Sequence, residues 1–138
     1  MDAHSSSASG GARRTYDLEE RTGRFADEVI DLAKKIPVNL ITKRLIPQLV
    51  AAGTSVNGNY GEAQEAESRK DFRHKLKVCN KEARESKQYL KRIKRACPEL
   101  ATEVDRLWKE AHELNLIFSA SIRTLDAKDA AGPPVDVE

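Results

Sequence analysis

Aromatic side chains are scarce in this chain: one Trp, three Tyr and three Phe among 138 residues, with only seven Gly and five Pro. So few turn formers and flat rings argue against a many-stranded sheet, which needs a tight turn every few residues. No apolar run approaches the ~20 residues that cross a bilayer, so no membrane partner is expected. The stretch from Met1 to Arg14 has no apolar centre and does not read as a secretory signal. There are two cysteines, Cys79 and Cys97, which is too few for a disulfide framework. On one continuous helix they would lie ~27 Å apart, beyond bridging distance. They are expected to be reduced core thiols, and the chain to be cytoplasmic.

Sites for chemistry are equally thin. His4, His74 and His112 are far apart, and none belongs to an HExxH pair or a Cys/His metal spacing. Gly58-Asn59-Tyr60-Gly61 lacks the Gly-Lys-Ser/Thr ending of a phosphate loop. Glu62, Glu82 and Glu85 could gather carboxylates inside a bundle, but the Glu-x-x-His pairs of di-metal bundles are missing. We therefore expect no catalytic residue, no metal and no cofactor. Ser55 and Asn59 lie on or near an apolar stripe. With Glu62 they are expected to form a buried, hydrogen-bonded polar cluster that sets helix register.

What the chain has is Glu, Lys, Arg, Ala and Leu in helical periodicity, with 33% of its residues charged. A first stripe runs through Leu18, Thr22, Phe25, Val29, Leu32 and Ile36, within a helix from about Asp17 to Ile36 that Pro37 ends. A second runs through Leu45, Leu49, Ala52, Val56, Asn59, Ala63 and Ala66, within a helix from about Asn39 to Glu67 capped by Asn39 or Thr42. Pro47 and the stretch from Gly53 to Gly61 are poor helix material. The stripe nonetheless keeps phase across them, so helix is preferred to loop, with small residues admitting a close neighbour. A third helix, about Arg69 to Ala96, follows Ser68 as N-cap with Asp71 three residues on, and its stripe is Phe72, Leu76, Cys79, Ala83, Ser86, Leu90 and Ile93. Pro98 opens a fourth, striped by Leu100, Val104, Leu107, Ala111, Leu114, Phe118, Ser121 and Leu125 and widened by Trp108, Ile117 and Ile122. Short connections make sequential helices antiparallel. The expected fold is all-α, an up-down four-helix bundle over residues 16–127. A disordered lead at 1–15 and a flexible tail at 128–138 flank it.

Charge is the second signal. Residues 69–95 hold twelve of the 24 Lys and Arg but three of the 22 acids, a net +9 against −7 for the remainder. On a helical wheel Lys70, Arg73, Lys77, Lys81, Arg84, Lys91 and Arg95 fall within roughly 80° of one another, opposite the stripe. One reading of this arc is a solvated face. The other is a phosphate-binding ridge about 37 Å long. Like charges at i,i+4 destabilise the helix itself, which favours the second reading. No exposed aromatic interleaves with these cations, so contact with the backbone of RNA or DNA is expected and base stacking is not.

Four stretches carry a resemblance. They are Tyr16-Asp17-Leu18-Glu19-Glu20-Arg21-Thr22 with Phe25 and Ala26, and Gly53-Thr54-Ser55-Val56 with Asn59-Tyr60-Gly61-Glu62-Ala63. The others are Ser68-Arg69-Lys70-Asp71-Phe72 with Lys75-Leu76, and Lys81-Glu82-Ala83 with Glu85-Ser86 and Tyr89-Leu90. Over about residues 16–125 the chain resembles the bacterial four-helix-bundle family encoded in intervening sequences of 23S ribosomal RNA genes. That resemblance implies a homopentamer of bundles around a central channel. The chain is also similar to the accessory bundle of diversity-generating retroelements, which implies nucleic acid and a reverse transcriptase as partners. Where the family has a basic residue before the Gly/Ala-Thr-Ser stretch, this chain has Ala51-Ala52, so no nucleic-acid contact is carried over to the second helix. The resulting expectation is a non-enzymatic homo-oligomer, a pentamer by resemblance, that binds RNA or DNA. The alternative is a scaffold for a protein partner.

Overall fold

The computed structural model describes residues 10–131, with side chains from Leu18 onward. Among them are four α-helices and no strand: α1 Gly10–Lys35, α2 Thr42–Gln64, α3 Arg69–Ala96 and α4 Ala101–Ala131, with a 3₁₀ turn Pro98–Leu100 leading into the last. The stripes therefore located all four helices, and α3 has the expected bounds. α1 begins seven residues before the expected Asp17. Gly10 and Gly11 are weak helix formers, and propagation from an established helix costs much less than nucleation. His4, Pro133 and Pro134 lie outside the described residues.

Each connection has a local cause. At Ile36 the ladder tightens, its N–H donating to Ala33 O at 3.2 Å, and Pro37 prevents continuation. Asn39 then caps α2: its Oδ1 accepts from the N–H groups of Ile41 and Thr42 at 2.8 and 2.9 Å. Thr42, fully buried, accepts from Asn39 N–H through its hydroxyl oxygen and donates to Pro37 O. The turn is thus tied to itself, and it holds Val38, Leu40 and Ile41 outward at 76%, 84% and 67% exposure. Ser68 caps α3 as its sequence position implies, its Oγ accepting from Asp71 N–H at 3.0 Å.

Helix continues through residues 53–61 because packing outweighs propensity there. Ala52, Gly53, Val56, Tyr60 and Ala63 are all buried. A Cβ at Gly53 would lie 2.9 Å from both methyl carbons of Val29, so α1 approaches here closer than any other residue allows. Pro47 sits in the second turn of α2, where its missing donor deprives Lys43 O of one ladder bond.

The helices neighbour one another in a ring, α1 to α2 to α3 to α4 and back to α1. Paired contacts fix their directions. Val29 meets Gly53 and Thr22 meets Asn57 across α1 and α2. Lys94 meets Asp105 and Arg73 meets Asp126 across α3 and α4. Lys35 meets Glu103 and Arg21 meets Glu110 across α1 and α4. In each pair rising numbers face falling ones, as an up-down bundle requires. The centre is filled by Phe25, Leu32, Leu49, Leu76, Leu90, Leu107, Leu114 and Phe118, none more than 2% exposed. Each such side chain contributes roughly 1.5–3 kcal/mol on burial. No helix among the described residues is long and apolar enough to cross a membrane.

Candidate nucleic-acid interface

With Leu76, Cys79, Ala83, Ser86, Leu90 and Ile93 committed to the core, helical geometry turns the charged positions of α3 away from it. Lys70, Lys77, Lys81, Arg84, Lys91 and Arg95 are exposed, and Arg73 is half-buried. The seven residues of the expected arc therefore share one face but differ in partners. Arg73 forms a two-pronged pair with Asp126 of α4, Nε to Oδ1 at 2.6 Å and Nη2 to Oδ2 at 3.1 Å. The hydrogen bond from Arg73 holds the Asp126 carboxyl below the usual aspartate range. Lys81 lies 3.8 and 3.9 Å from the carboxylates of Glu82 and Glu85. Among the described residues no carboxylate comes within ion-pair distance of Lys70, Lys77, Arg84, Lys91 or Arg95.

The flank of this ridge that meets α4 holds what the helical wheel did not show. Lys87 leans onto α4, its Nζ 5.2 Å from the Trp108 ring centroid and 3.1 Å from His112 Nδ1. Trp108 and His112 stack at 5.2 Å with 13° between their planes, as residues four apart on one helix can. Burial, and secondarily Arg84, hold the Lys87 ammonium below the usual lysine range. Below this cluster, toward the connection between α3 and α4, lies a groove of about 550 Å³. Pro98, Ala101, Val104 and Trp108 line it together with the exposed Lys91 and Arg95. Lys94 and Asp105, also in its wall, pair with each other at 2.9 Å. The expectation of cations without an aromatic neighbour is thus corrected. α3 sets no Phe, Tyr or Trp among the seven cations, but α4 brings half-buried Trp108 beside them.

The expected buried cluster of Ser55, Asn59 and Glu62 is not formed. Ser55 and Asn59 are half-buried, Asn59 Nδ2 donates to Ser55 O along its own helix at 2.8 Å, and Glu62 is exposed and paired with Lys75 at 2.6 Å. Tyr60 takes the inward position instead, packing on Phe118 with ring centroids 6.3 Å apart. A ring gains from burial what an unpaired carboxylate would lose. Polar contacts between helices, part-buried, lie elsewhere. Asn115 Nδ2 donates to Asn80 O and Oδ1 at 2.8 and 2.7 Å, Asn80 Nδ2 to Ser119 Oγ at 3.1 Å, and Asn57 Nδ2 to Thr22 Oγ1 at 3.1 Å.

Neither cysteine is placed as a nucleophile. Cys79 and Cys97 are free and buried, and burial pushes the Cys79 thiol up to about 12. Among the described residues, no three of His, Cys, Asp and Glu are grouped so as to hold a metal ion.

Comparison with known proteins places this arrangement. Residues 14–120 match the family described as 23S rRNA-intervening sequence protein. A crystal structure from Bacteroides thetaiotaomicron, of a protein of unknown function in the S23 ribosomal protein family, is similar with a TM-score of 0.68 and 25% identity. The match covers 76% of this chain and 97% of that one. No curated protein matches the chain. The match to the family extends from within α1 into α4 and so takes in all four helices of the bundle: the chain belongs to the family of 23S rRNA-intervening sequence proteins.

Proposed function

We propose that the chain is a non-enzymatic, self-associating bundle that binds the backbone of RNA or DNA through the outer face of α3. The observation that carries this reading is the set of five cations, Lys70, Lys77, Arg84, Lys91 and Arg95, exposed on one face with no carboxylate partner among the described residues. Elsewhere several charges are paired across helices, as Arg21 is with Glu110 and Arg106 with Glu28. A run of same-sign charge left open along ~37 Å of helix suits a ligand that carries regularly spaced negative charge. Buried reduced thiols suit a cytoplasmic setting. A filter-binding titration of RNA and DNA at low and high salt tests the reading. Retention that falls steeply with salt is expected, and no retention of either at low salt would defeat it.

Self-association draws support from a different surface. Val38, Leu40 and Ile41 are held outward by a turn that is hydrogen-bonded internally, and such a patch is costly to leave in water. The number five rests on the family resemblance. Light scattering is expected to give an oligomer, and a stable monomer would remove this part. The same patch supports the second reading, a scaffold for a protein partner without nucleic acid. A partner recovered on affinity beads after nuclease treatment would favour it.

A further inference from the structure

We propose that the groove beside Trp108 receives one unstacked base of a single-stranded nucleic acid, with the adjoining phosphates on Lys91 and Arg95. This rests on the reading of α3 as a phosphate ridge and adds to it a preference for strand type. The groove lies at the end of that ridge, and Lys91 and Arg95 belong to both. They are four residues apart, hence one helical turn and about 6 Å along the axis. That separation lets neighbouring phosphates of one strand reach one cation each. Between them and α4 the lining turns apolar, with Pro98, Ala101 and Val104 beside the Trp108 ring. His112 stacks 5.2 Å from the ring and the Lys87 ammonium lies over it, and together they fix its orientation. A volume of about 550 Å³ suits a group of nucleotide size. Lys94 and Asp105 are occupied with each other, so the groove offers the Trp108 ring beside two cations that have no carboxylate partner among the described residues. A nucleotide presents the complement, a flat π-face next to negative charge. Bases inside a duplex are stacked on their neighbours and cannot enter.

Trp108 is the single tryptophan of the chain, so its fluorescence reports on this groove alone. The full-length protein is titrated with a deoxythymidine oligomer of about twenty nucleotides, with an abasic oligomer of equal phosphate count, and with a duplex. Quenching by the deoxythymidine oligomer, and affinity about tenfold above that for the abasic oligomer, is expected. Trp108→Leu should erase that preference and Trp108→Phe should keep most of it, with thermal melts establishing that both fold. Equal affinity for the deoxythymidine and abasic oligomers, with unchanged fluorescence, would overturn the base site while leaving the ridge standing. Binding of no oligomer at all would remove the ridge and the base site together. Quenching by a peptide of alternating Glu and Leu, and by no oligonucleotide, would assign the groove to an acidic partner instead and overturn the proposal.

Discussion

α2 and α3 lie side by side and line the same core, yet they specify different things. α2 carries three charged residues, Lys43, Arg44 and Glu62, and over residues 53–61 is built mostly from small side chains that are poor helix formers. It is held by how closely its neighbour approaches, so that a Cβ added at Gly53 would lie 2.9 Å from the Val29 methyls. α3 has good helix formers, but its outer face is loaded with charge of one sign that repels itself. It is held by Leu76, Leu90 and Ile93 beneath that face. The information in α2 is steric and concerns stability. The information on the outer face of α3 is electrostatic, and five of its seven cations find no carboxylate partner among the described residues. Substitutions in the two helices should therefore separate folding from binding.

The largest separation is expected from reversing charge on the ridge. Lys77→Glu, Arg84→Glu and Lys91→Glu together should weaken retention of nucleic acid at low salt by about a thousandfold, ~4 kcal/mol, and flatten its salt dependence. The melting temperature should hold, because glutamates at these positions turn repulsions with Lys81 and Arg95 into attractions of ~0.2–0.5 kcal/mol each, which offset the attraction to Asp126 that Lys77→Glu gives up. A variant melting well below the parent would show that these cations support the fold, and the contrast between α2 and α3 would collapse. The converse is Gly53→Leu, which drives a side chain into Val29 and should cost about 2–3 kcal/mol in denaturant unfolding. Affinity per folded molecule should stay as it was, and adding Val29→Ala should recover part of the loss. Unchanged stability in Gly53→Leu would mean the close approach is dispensable.

The same contrast explains what could be read in advance. Stripes of Leu, Phe and Val locate faces well, and α3, with the sharpest opposition of apolar and charged residues, was bounded correctly at both ends. Between Gly53 and Gly61 small side chains mark the core face of α2 weakly, so the stripe runs through Asn59 where the structure turns Tyr60 inward, 100° away, and the expected polar cluster falls one residue out of phase. The basic arc was legible because it belongs to one helix. Its partners were not: Asp126 with Arg73, and Trp108 and His112 with Lys87, are brought together only by the docking of α3 against α4. A wheel places a residue on a face but does not say which neighbour flanks that face.

A third prediction uses the seam between α1 and α4, where charge is taken up internally. Arg21 donates to Glu110 from Nε and Nη2 at 3.0 and 2.8 Å, and reaches Glu113 at 3.2 Å. Its side chain is only 20% exposed, so Arg21→Met strands a partly covered carboxylate. The expected loss is about 1 kcal/mol in chemical denaturation, with no change in nucleic-acid binding. A fall in binding instead would extend the interface to a face that faces away from the ridge.

The smallest effect tests the boundary between the two kinds of charge. Arg73 belongs to the ridge by position but is engaged by Asp126. Replacing Asp126→Asn removes the ionic partner and releases Arg73 to the outer face. Affinity for nucleic acid should rise about two- to threefold, and the slope of log affinity against log salt should steepen by up to ~0.9, the contribution of one added phosphate contact. The acid limb of stability checks the same pair. Asp126 titrates below its ordinary range because Arg73 hydrogen-bonds its carboxylate, so its contribution is present above the ordinary aspartate range. That contribution is lost as pH falls through the depressed value. The parent should therefore lose stability in acid more steeply than Asp126→Asn does. If affinity and salt slope stay unchanged while the acid limb flattens, Arg73 serves the α3–α4 seam alone and the ridge is confined to cations that no helix of the bundle answers.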